Sequence, residues 1–262
     1  MNQLEKKMFE ILTELKTKFN VLGVKAEFEA EGTRNDDLLR LSDVVKKSGL
    51  DLVIKIGGCE AISDLINCKK IGAERIVAPM IESNFALTKY IDSINKVFDK
   101  TEISDISFFI NLETISAMNI LDQLCKTAKE SNIIKGFVLG RVDFTGSMSM
   151  GRADINSDKV LSYAKEFCEK LKEYSLTSVV GGGISKESHN FLKSLNGNLS
   201  LSSFETRKIL FPAEVLNANY DDCIDMAVTF ELYYLKNKFN YYSSISNEDK
   251  DRIEMLEERI KA

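Results

Sequence analysis

Residues 136–151 read GFVLGRVDFTGSMSMG, and this stretch guides the interpretation of the rest of the chain. It begins with the apolar residues 137–139, which predict a strand buried on both faces. The strand ends at Gly140, and Arg141 and Asp143 follow at its carboxyl end. A polar loop rich in glycine comes after them. Because ligands bind at the carboxyl ends of strands in parallel α/β sheets and barrels, we expect Asp143 to form half of an acidic metal site.

Strands and helices alternate along most of the chain. Runs with strand character begin at residues 21, 51, 74, 106, 136, 177 and 199, and helical runs separate them. This alternation predicts an α/β protein with a parallel sheet, and the polar residues at the strand ends favour a (β/α)8 TIM barrel over a doubly wound sheet. Because only seven strands are clear, either the first strand is hidden or residues 199–210 contain more than one.

The two ends of the chain differ from this alternating region. Residues 2–19 carry apolar residues at helical spacing and predict an N-terminal cover helix. Near the other end, residues 220–239 predict a long helix with an aromatic cluster, and residues 247–261 predict a strongly charged final helix. We expect residues 1–212 to form the barrel domain and residues 213–262 to form a C-terminal helical extension, which packs on the barrel or on a neighbouring subunit of a homo-oligomer.

The composition argues against some classes of binding partner. The 262 residues carry a net charge of −5 with both signs interspersed, so no basic field for nucleic acid is present. No apolar run reaches the roughly 18 residues of a membrane span, and the N-terminus lacks the apolar core of a signal peptide. The five cysteines form no CxxC pair, which favours reduced thiols. We therefore expect a cytoplasmic protein with neither nucleic-acid nor membrane partners.

Glu113 and Asp143 form the strongest pair of candidate chemical groups. Each comes at the end of a predicted core strand, and the two strands are consecutive, so we expect them to be neighbours. Two carboxylates at neighbouring strand ends, completed by water and substrate oxygens, suit Mg²⁺ or Mn²⁺. The alternative is structural: Glu113 would cap the next helix, and Asp143 would pair with Arg141.

Lys55 ends a strand whose other central residues are apolar, and three interpretations compete. It could bind a substrate carboxylate, form a Schiff base, or pair with Glu27 or Glu29. The first and third are favoured, because the carboxylate pair already offers a metal route to an enolate. Strand alternation places residues 25, 27 and 29 on one face, which inside a barrel would require pairing or a metal.

Three consecutive glycines, Gly181, Gly182 and Gly183, separate a predicted strand from a predicted helix. Such a run resembles a backbone site for a substrate anion, although a tight turn explains it equally well. His189 is the only histidine, and its place within the following helix predicts a surface residue rather than a catalytic base. No Ser-His-Asp or Cys-His constellation can therefore be built.

Five stretches together resemble the HpcH/HpaI aldolase and citrate lyase β-subunit family. In chain order they are KAEFEAEGTR, DLVIKIGGCEAI, GAERIVAPMIES, INLET and GFVLGRVDFTGSM. The resemblance spans about residues 20–210 and implies a TIM barrel of the phosphoenolpyruvate/pyruvate type, often oligomeric through its C-terminal helices. It also implies that the carboxylates at Glu113 and Asp143 bind a divalent metal, which holds a 2-oxo acid or its enolate.

The chain departs from the family pattern in two places. The arginine that binds the substrate carboxylate on the third barrel strand is matched by Lys55, which keeps the charge but loses the bidentate fork. The histidine that serves the base machinery of the aldolase branch is absent, so Glu29 or Glu31 could take that role. The resemblance further implies that residues 26–32 form the second barrel strand, so that the missing strand would be the first.

We therefore predict a divalent-metal-dependent carbon–carbon lyase of the aldolase type, acting on a small 2-oxo acid. One alternative is a citrate-lyase-like enzyme that acts on a CoA thioester or another larger substrate. Another is a catalytically inactive barrel that serves as a binding or assembly subunit. The residues assigned to these roles are Glu113 and Asp143 for the metal, Lys55, Glu29 and Arg141 for catalysis, and Lys55, Gly181 and Gly182 for substrate binding.

Overall fold

Eight strands close into a barrel in the computed structural model, which describes residues 1–197 and 201–261. The first seven are parallel to one another, whereas the eighth is antiparallel to both of its neighbours, the seventh and the first. The strands are β1 (Gly23–Glu27), β2 (Asp51–Lys55), β3 (Arg75–Ala78), β4 (Ser107–Leu112), β5 (Ile134–Gly140), β6 (Thr177–Gly181), β7 (Ser203–Glu205) and β8 (Ile209–Pro212). The predicted TIM barrel is thus confirmed.

The reversed last strand resolves the missing-strand question. Only residues 206–208 separate β7 from β8, and a parallel connection needs roughly a dozen residues or more, so the pair forms a hairpin. Residues 199–210 therefore contain β7 and the start of β8, although 199 and 200 lie outside the described residues. Since β1 pairs with β8, the strand before residue 28 is the first of the barrel, not the second, and Lys55 lies on the second, not the third.

The helices mostly follow the predicted order, with four differences. The expected loop after β5 is a helix, residues 100–105 form a helix that was not predicted, residues 115–131 form two helices instead of one, and the two predicted C-terminal helices are one continuous helix. The helices are α1 (Gln3–Phe19), α2 (Asn35–Lys47), α3 (Ile62–Ile71), α4 (Asn84–Val97), α5 (Lys100–Asp105), α6 (Ile115–Met118), α7 (Leu121–Ser131), α8 (Arg141–Ser147), α9 (Asp158–Glu173), α10 (His189–Lys193) and α11 (Tyr220–Lys261). No described helix is long and apolar enough to cross a membrane.

The two terminal helices pack against each other. A capping box formed by Asn2 and Glu5 starts α1, whose apolar stripe is buried. The helix packs against α2 and α11. The first part of α11 joins the main hydrophobic core through residues such as Phe230, whereas its second half is largely exposed. The domain division at residue 212 stays a prediction.

An apolar layer fills the middle of the barrel and sets the level of the site. Strand alternation brings one inward side chain from each of six strands into this layer: Val53, Val77, Phe109, Val138, Val179 and Leu210. Two positions further along the parallel strands come Lys55, Asn111, Gly140 and Gly181. On these four strands the next inward position, at the carboxyl end, is therefore polar or a glycine.

Candidate functional site

The carboxyl ends of the strands open into a cavity of about 830 Å³. This is within the size range of small-molecule sites, roughly 300–1,000 Å³. Its walls come from the strand ends, the glycine run 181–183 and one face of α11. Charges of both signs line it: Lys25, Lys55, Arg152, Arg207 and Lys238 on one hand, and Glu27, Glu31, Glu113, Asp143, Glu205 and Glu231 on the other.

Glu113 lies at the barrel mouth in a network of protein donors. Its Oε1 accepts hydrogen bonds from Lys55 Nζ at 3.0 Å and from Asn111 Nδ2 at 2.6 Å. Its Oε2 accepts one from the backbone N–H of Met80 at 3.1 Å. The carboxylate is only 3% exposed, so these contacts fix its position. Lys55 does pair with a carboxylate, but the partner is Glu113 and not Glu27 or Glu29.

Two glycines make room for two carboxylates of this layer. A Cβ at Gly140 would lie 2.8 Å from Cγ of Glu113, and a Cβ at Gly181 would lie 3.0 Å from Cγ of Glu205. Both distances are shorter than carbon–carbon van der Waals contact allows. A side chain at either position would therefore push its carboxylate away from the mouth of the barrel.

A second ion network lies beside the first. Lys25 Nζ is 2.6 Å from Glu205 Oε1 and 3.1 Å from Glu27 Oε1, and all three residues are buried. Burial alone would lower the pKa of Lys25, but the two carboxylates outweigh it and raise that pKa above its ordinary value. Burial opposes ionisation of Glu27, yet Lys25 and Lys55 lower its pKa overall. Lys25 and Glu27 therefore stay charged at neutral pH.

Glu29 does not join the other predicted site residues. The strand β1 ends at Glu27, and the chain turns directly afterwards, so alternation no longer holds the next acidic residue on the inward face. Glu29 is exposed and is absent from the cavity lining, which contains Glu27 and Glu31 instead. Glu31 pairs with Arg207 at 3.0 Å and with Lys208.

Asp143 lies in the first turn of α8 and lines the same cavity as Glu113. It is exposed, and its pKa is raised by partial burial and by the negative charges of Glu113 and Glu27, against the opposing effect of Lys55. It does not pair with Arg141, so that structural alternative fails. The unbalanced carboxylate charge is a feature that a divalent cation would relieve.

Arg141 is fully buried and is absent from the cavity lining. Its Nε and Nη2 donate to the carbonyl oxygens of Gly181 and Gly182 at 3.1 and 2.9 Å. Its Nη1 donates to Asn156 Oδ1 at 2.6 Å and to the Ile155 carbonyl at 3.3 Å. Burial lowers the pKa of Arg141 to about 10, which leaves it charged at neutral pH. The geometry thus fits a structural role, which is holding neighbouring segments in place.

The glycine run 181–183 lines the cavity, and its backbone conformation also requires glycine. Gly182 and Gly183 adopt φ values of +78° and +65°, a region that favours glycine. A Cβ at Gly182 would lie 2.7 Å from the backbone nitrogen of Arg141. The tight-turn interpretation therefore holds for this residue, and substrate binding by Gly181 and Gly182 stays a prediction. His189 is packed rather than a free surface residue, since its ring stacks on Tyr220 at 4.3 Å.

Some cavity residues had no role in the sequence interpretation. Asn111 precedes Glu113 by two positions, so strand alternation could have placed both on the inward face. Glu205 lies in the predicted strand region 199–210, and its pairing with Lys25 depends on the unforeseen hairpin. Arg152 follows a glycine outside any strand, and no periodic pattern points to it.

The carboxylate pair is compatible with a divalent cation. Glu113 Oε2 accepts only one hydrogen bond and so retains a lone pair, and Asp143 lines the same cavity. Among the described residues, no three or more His, Cys, Asp or Glu side chains gather in a metal-binding group. A site with two carboxylates, and with water or substrate in the other positions, is an arrangement that Mg²⁺ accepts.

The fold of this chain is similar to that of several solved structures. A solved HpcH/HpaI aldolase from Desulfitobacterium hafniense DCB-2 has a TM-score of 0.61 at 10% identity, covering 78% of this chain and 83% of that one. A HpcH/HpaI aldolase/citrate lyase family protein from Burkholderia cenocepacia J2315 has a TM-score of 0.62 at 10% identity, covering 77% and 83%.

The citrate synthase SbnG has a TM-score of 0.57 at 12% identity, covering 76% of this chain and 81% of that one. No protein-family model matches the sequence, and no curated protein matches it significantly. At such low identity the likeness shows a shared fold. That fold is the one of the family that the sequence resembles.

Proposed function

We propose that the protein is a carbon–carbon lyase of the aldolase type, which acts on a small 2-oxo acid with Mg²⁺ or Mn²⁺ held by Glu113 and Asp143. One observation carries the proposal: Glu113 is fixed at the barrel mouth by three protein donors, and Gly140 leaves the space that it occupies. A stability role alone does not account for a buried carboxylate at the cavity floor. The structural likeness to aldolase and citrate lyase family proteins supports the reaction class.

A bound divalent cation would supply Lewis-acid polarisation of the substrate oxygens. The chain itself supplies the positive charge beside the site. Lys55 lies 3.0 Å from Glu113 and lines the cavity, so its ammonium group both orients that carboxylate and faces the bound acid. Because the cavity floor is partly shielded from water, such a placed charge stabilises negative charge that develops on the substrate.

Glu27 replaces Glu29 as our proposed proton acceptor. It lines the cavity, whereas Glu29 does not, and its lowered pKa keeps it ionised at neutral pH. An ionised carboxylate beside the substrate can accept a proton from the carbon next to the carbonyl. Arg141 is a positioning residue in this proposal, because its donors hold the glycine turn and the segment around Asn156.

Enolisation of pyruvate tests the proposal directly. We expect the wild type with Mg²⁺ to exchange the methyl protons of pyruvate for deuterium, and Asp143→Asn to lower that exchange by about 100-fold or more. Asp92→Asn is the matched control, since Asp92 is exposed on α4 and outside the cavity. Exchange that survives unchanged in Asp143→Asn would refute the metal assignment.

A larger substrate is the second candidate, and the wall formed by α11 favours it. The apolar residues Ala227, Val228 and Leu235 line the cavity beyond the charged floor. A cavity of about 830 Å³ leaves space for a chain attached to the reacting acid. Activity on a CoA thioester but not on free 2-oxo acids would support the larger-substrate hypothesis. The third hypothesis is a catalytically inactive barrel that serves as a binding or assembly subunit, and a lack of divalent-metal binding would support it.

We also propose that the protein forms a homo-oligomer through α11. Large apolar residues are exposed in two stretches of this helix, 228–239 and 253–260, and within each stretch they recur at spacings of three and four, which is the repeat of a helix–helix seam. They are Val228, Leu232, Leu235, Phe239, Ile253, Leu256 and Ile260. Light scattering after chromatography should give a multiple of the chain mass, and Phe239→Glu with Ile260→Glu should reduce it. A monomeric wild type would refute this proposal.

A further inference from the structure

The turn between β3 and α4 has an uncommon backbone conformation at Met80, whose φ is +50°. Five described residues other than glycine have a positive φ, and four of them lie within two residues after the end of a helix: Asn20, Asn132, Ser149 and Ser175. A positive φ at that place is a common way for a helix to end. Met80 instead follows a strand, so the geometry of a helix end does not explain its conformation.

The side chain of Met80 does not explain the conformation either. It is 49% exposed and lies outside the cavity lining, so packing does not force the backbone into this region. A positive φ is unfavourable for a residue with a Cβ, because the Cβ comes close to the following carbonyl oxygen. The conformation must therefore be held by contacts of the backbone.

Two backbone hydrogen bonds hold the turn against the end of β4. The N–H of Met80 donates to Oε2 of Glu113 at 3.1 Å, and the N–H of the buried Ile81 donates to the carbonyl oxygen of Asn111 at 3.4 Å. A hydrogen bond to an ionised carboxylate is roughly twice as strong as one between neutral groups. The bond to Glu113 therefore offsets the cost of the positive φ, and strain of this kind clusters at functional sites.

The two oxygens of Glu113 have different partners. Oε1 accepts hydrogen bonds from Lys55 and Asn111, whereas Met80 is the one donor to Oε2 among the described residues. A carboxylate oxygen has two lone pairs, so Oε2 keeps one that is open to a cation. The N–H of Met80 thus acts on the oxygen that is free to bind a metal.

We infer that Met80 is a positioning residue, whose backbone N–H fixes the plane of the Glu113 carboxylate and thereby the direction of the open lone pair on Oε2. This inference rests on the proposed function for the identity of the bound group. The residue type at position 80 acts through the backbone: a side chain that tolerates a positive φ preserves the bond, and one that is branched at Cβ disrupts it.

The amide resonance of Met80 tests the hydrogen bond without a metal. In the full chain with isotope-labelled methionine, Met80→Ala identifies the Met80 peak by its loss. We expect Glu113→Gln to shift the Met80 amide proton upfield, because a neutral acceptor bonds more weakly than a carboxylate. The amide of Met8, on α1 and outside the cavity lining, should not move. A Met80 amide that Glu113→Gln leaves unchanged would overturn the inference.

Calorimetric binding of Mn²⁺ then separates positioning from stability. Met80→Val places a side chain branched at Cβ where φ is positive, so the turn should shift away from Glu113. Loss of a hydrogen-bond partner of a metal ligand costs roughly ten- to a hundredfold in affinity, and we expect a loss of that order. Met80→Gly permits the same φ and keeps the N–H, so it should retain most of the affinity that Met80→Val loses.

Asn132→Val is the matched control. Asn132 is exposed, has a φ of +57° and ends α7 outside the cavity, so valine there imposes a similar backbone cost away from Glu113. Urea unfolding should show a loss of stability in both valine variants, whereas Met80→Val alone should weaken Mn²⁺ binding. Equal Mn²⁺ affinity in the two valine variants would overturn the inference. If the wild type binds no Mn²⁺, the metal assignment of the proposed function fails, and the Met80 amide still decides whether the turn positions Glu113.

Discussion

Gly140 leaves free the space that the Glu113 side chain occupies at the mouth of the barrel, because a Cβ at position 140 would lie 2.8 Å from Cγ of the glutamate. The glycine ends β5, and the glutamate directly follows β4. The absent side chain on one strand is thus what allows the carboxylate of the neighbouring strand to lie across the cavity floor. The first prediction follows from this contact.

Gly140→Ala should displace Glu113 and lower activity with only modest effects on folding. A misplacement of about 1 Å at a reacting group can cost about 100-fold in rate, and we expect a loss of that order in pyruvate exchange. Gly146→Ala is the control, since a Cβ at this helical glycine of α8 meets nothing within 4 Å. If the two variants retain equal activity, the contact does not matter for catalysis.

Lys55→Met should destabilise the fold, because it leaves the buried Glu113 charge without its cation. Removing one partner of a buried pair costs about 3 kcal/mol or more, and the expected loss here approaches that value because Lys55 is only 15% exposed. Urea unfolding measures it, and adding Glu113→Gln should recover much of the loss. Lys18→Met, which breaks an exposed pair with Glu14, should change nothing measurable. Similar losses in both single variants would contradict the argument.

Arg141→Lys keeps a positive charge but cannot reproduce the four donor contacts to the glycine turn and to residues 155 and 156. We expect a loss of about 3 kcal/mol in the free energy of unfolding, since buried carbonyls lose their partners. Arg259→Lys on the exposed end of α11 is the matched control. A catalytic loss with unchanged stability would instead give Arg141 the chemical role that the sequence first suggested.

The ion network of Lys25, Glu27 and Glu205 predicts how stability responds to acid. The pKa of Glu27 is lower in the folded protein than its ordinary value of 4.5. Its contribution is therefore complete above pH 4.5 and is lost as the pH falls through the lower folded value. Wild type should lose more stability than Glu27→Gln between pH 7 and this acid range, as urea unfolding would show. Glu10→Gln, at an exposed site on α1, should follow the wild type.

The opposite sign applies to Lys25 at high pH. Its folded pKa is raised above the ordinary 10.5, so its contribution is complete below 10.5 and is lost only as the pH rises through the folded value. Stability from this network should therefore be flat between these limits. A loss between pH 7 and pH 9 that Lys25→Met abolishes would contradict the assignment.

The sequence allowed the barrel to be predicted because its signals are local and repeated. Apolar runs such as residues 137–139 mark buried strands, and the apolar run 52–54 identified Lys55 as a residue at a strand end. The hairpin of β7 and β8 was not foreseen, since residues 206–208 between the two strands contain no glycine, proline, asparagine or aspartate that would mark a turn. The error in counting strands came directly from this turn.

Parts of the site were predictable, and others depended on distant contacts. Glu113 and Asp143 line one cavity as expected from consecutive strands. Glu29 was misplaced because the end of β1 falls at Glu27, and strand ends are weakly encoded. The burial of Arg141 depends on carbonyls some 40 residues further along the chain, which no local pattern reveals.

The most direct test of the account is calorimetric binding of Mn²⁺ to the wild type, Glu113→Gln and Asp143→Asn. We predict one Mn²⁺ per chain in the wild type and a loss of affinity of about tenfold or more in each variant, because each removes a charged oxygen ligand. Asp92→Asn should bind like the wild type. Binding of Mn²⁺ with equal affinity in all four proteins, or no binding to the wild type, would contradict the assignment of Glu113 and Asp143 to a metal site.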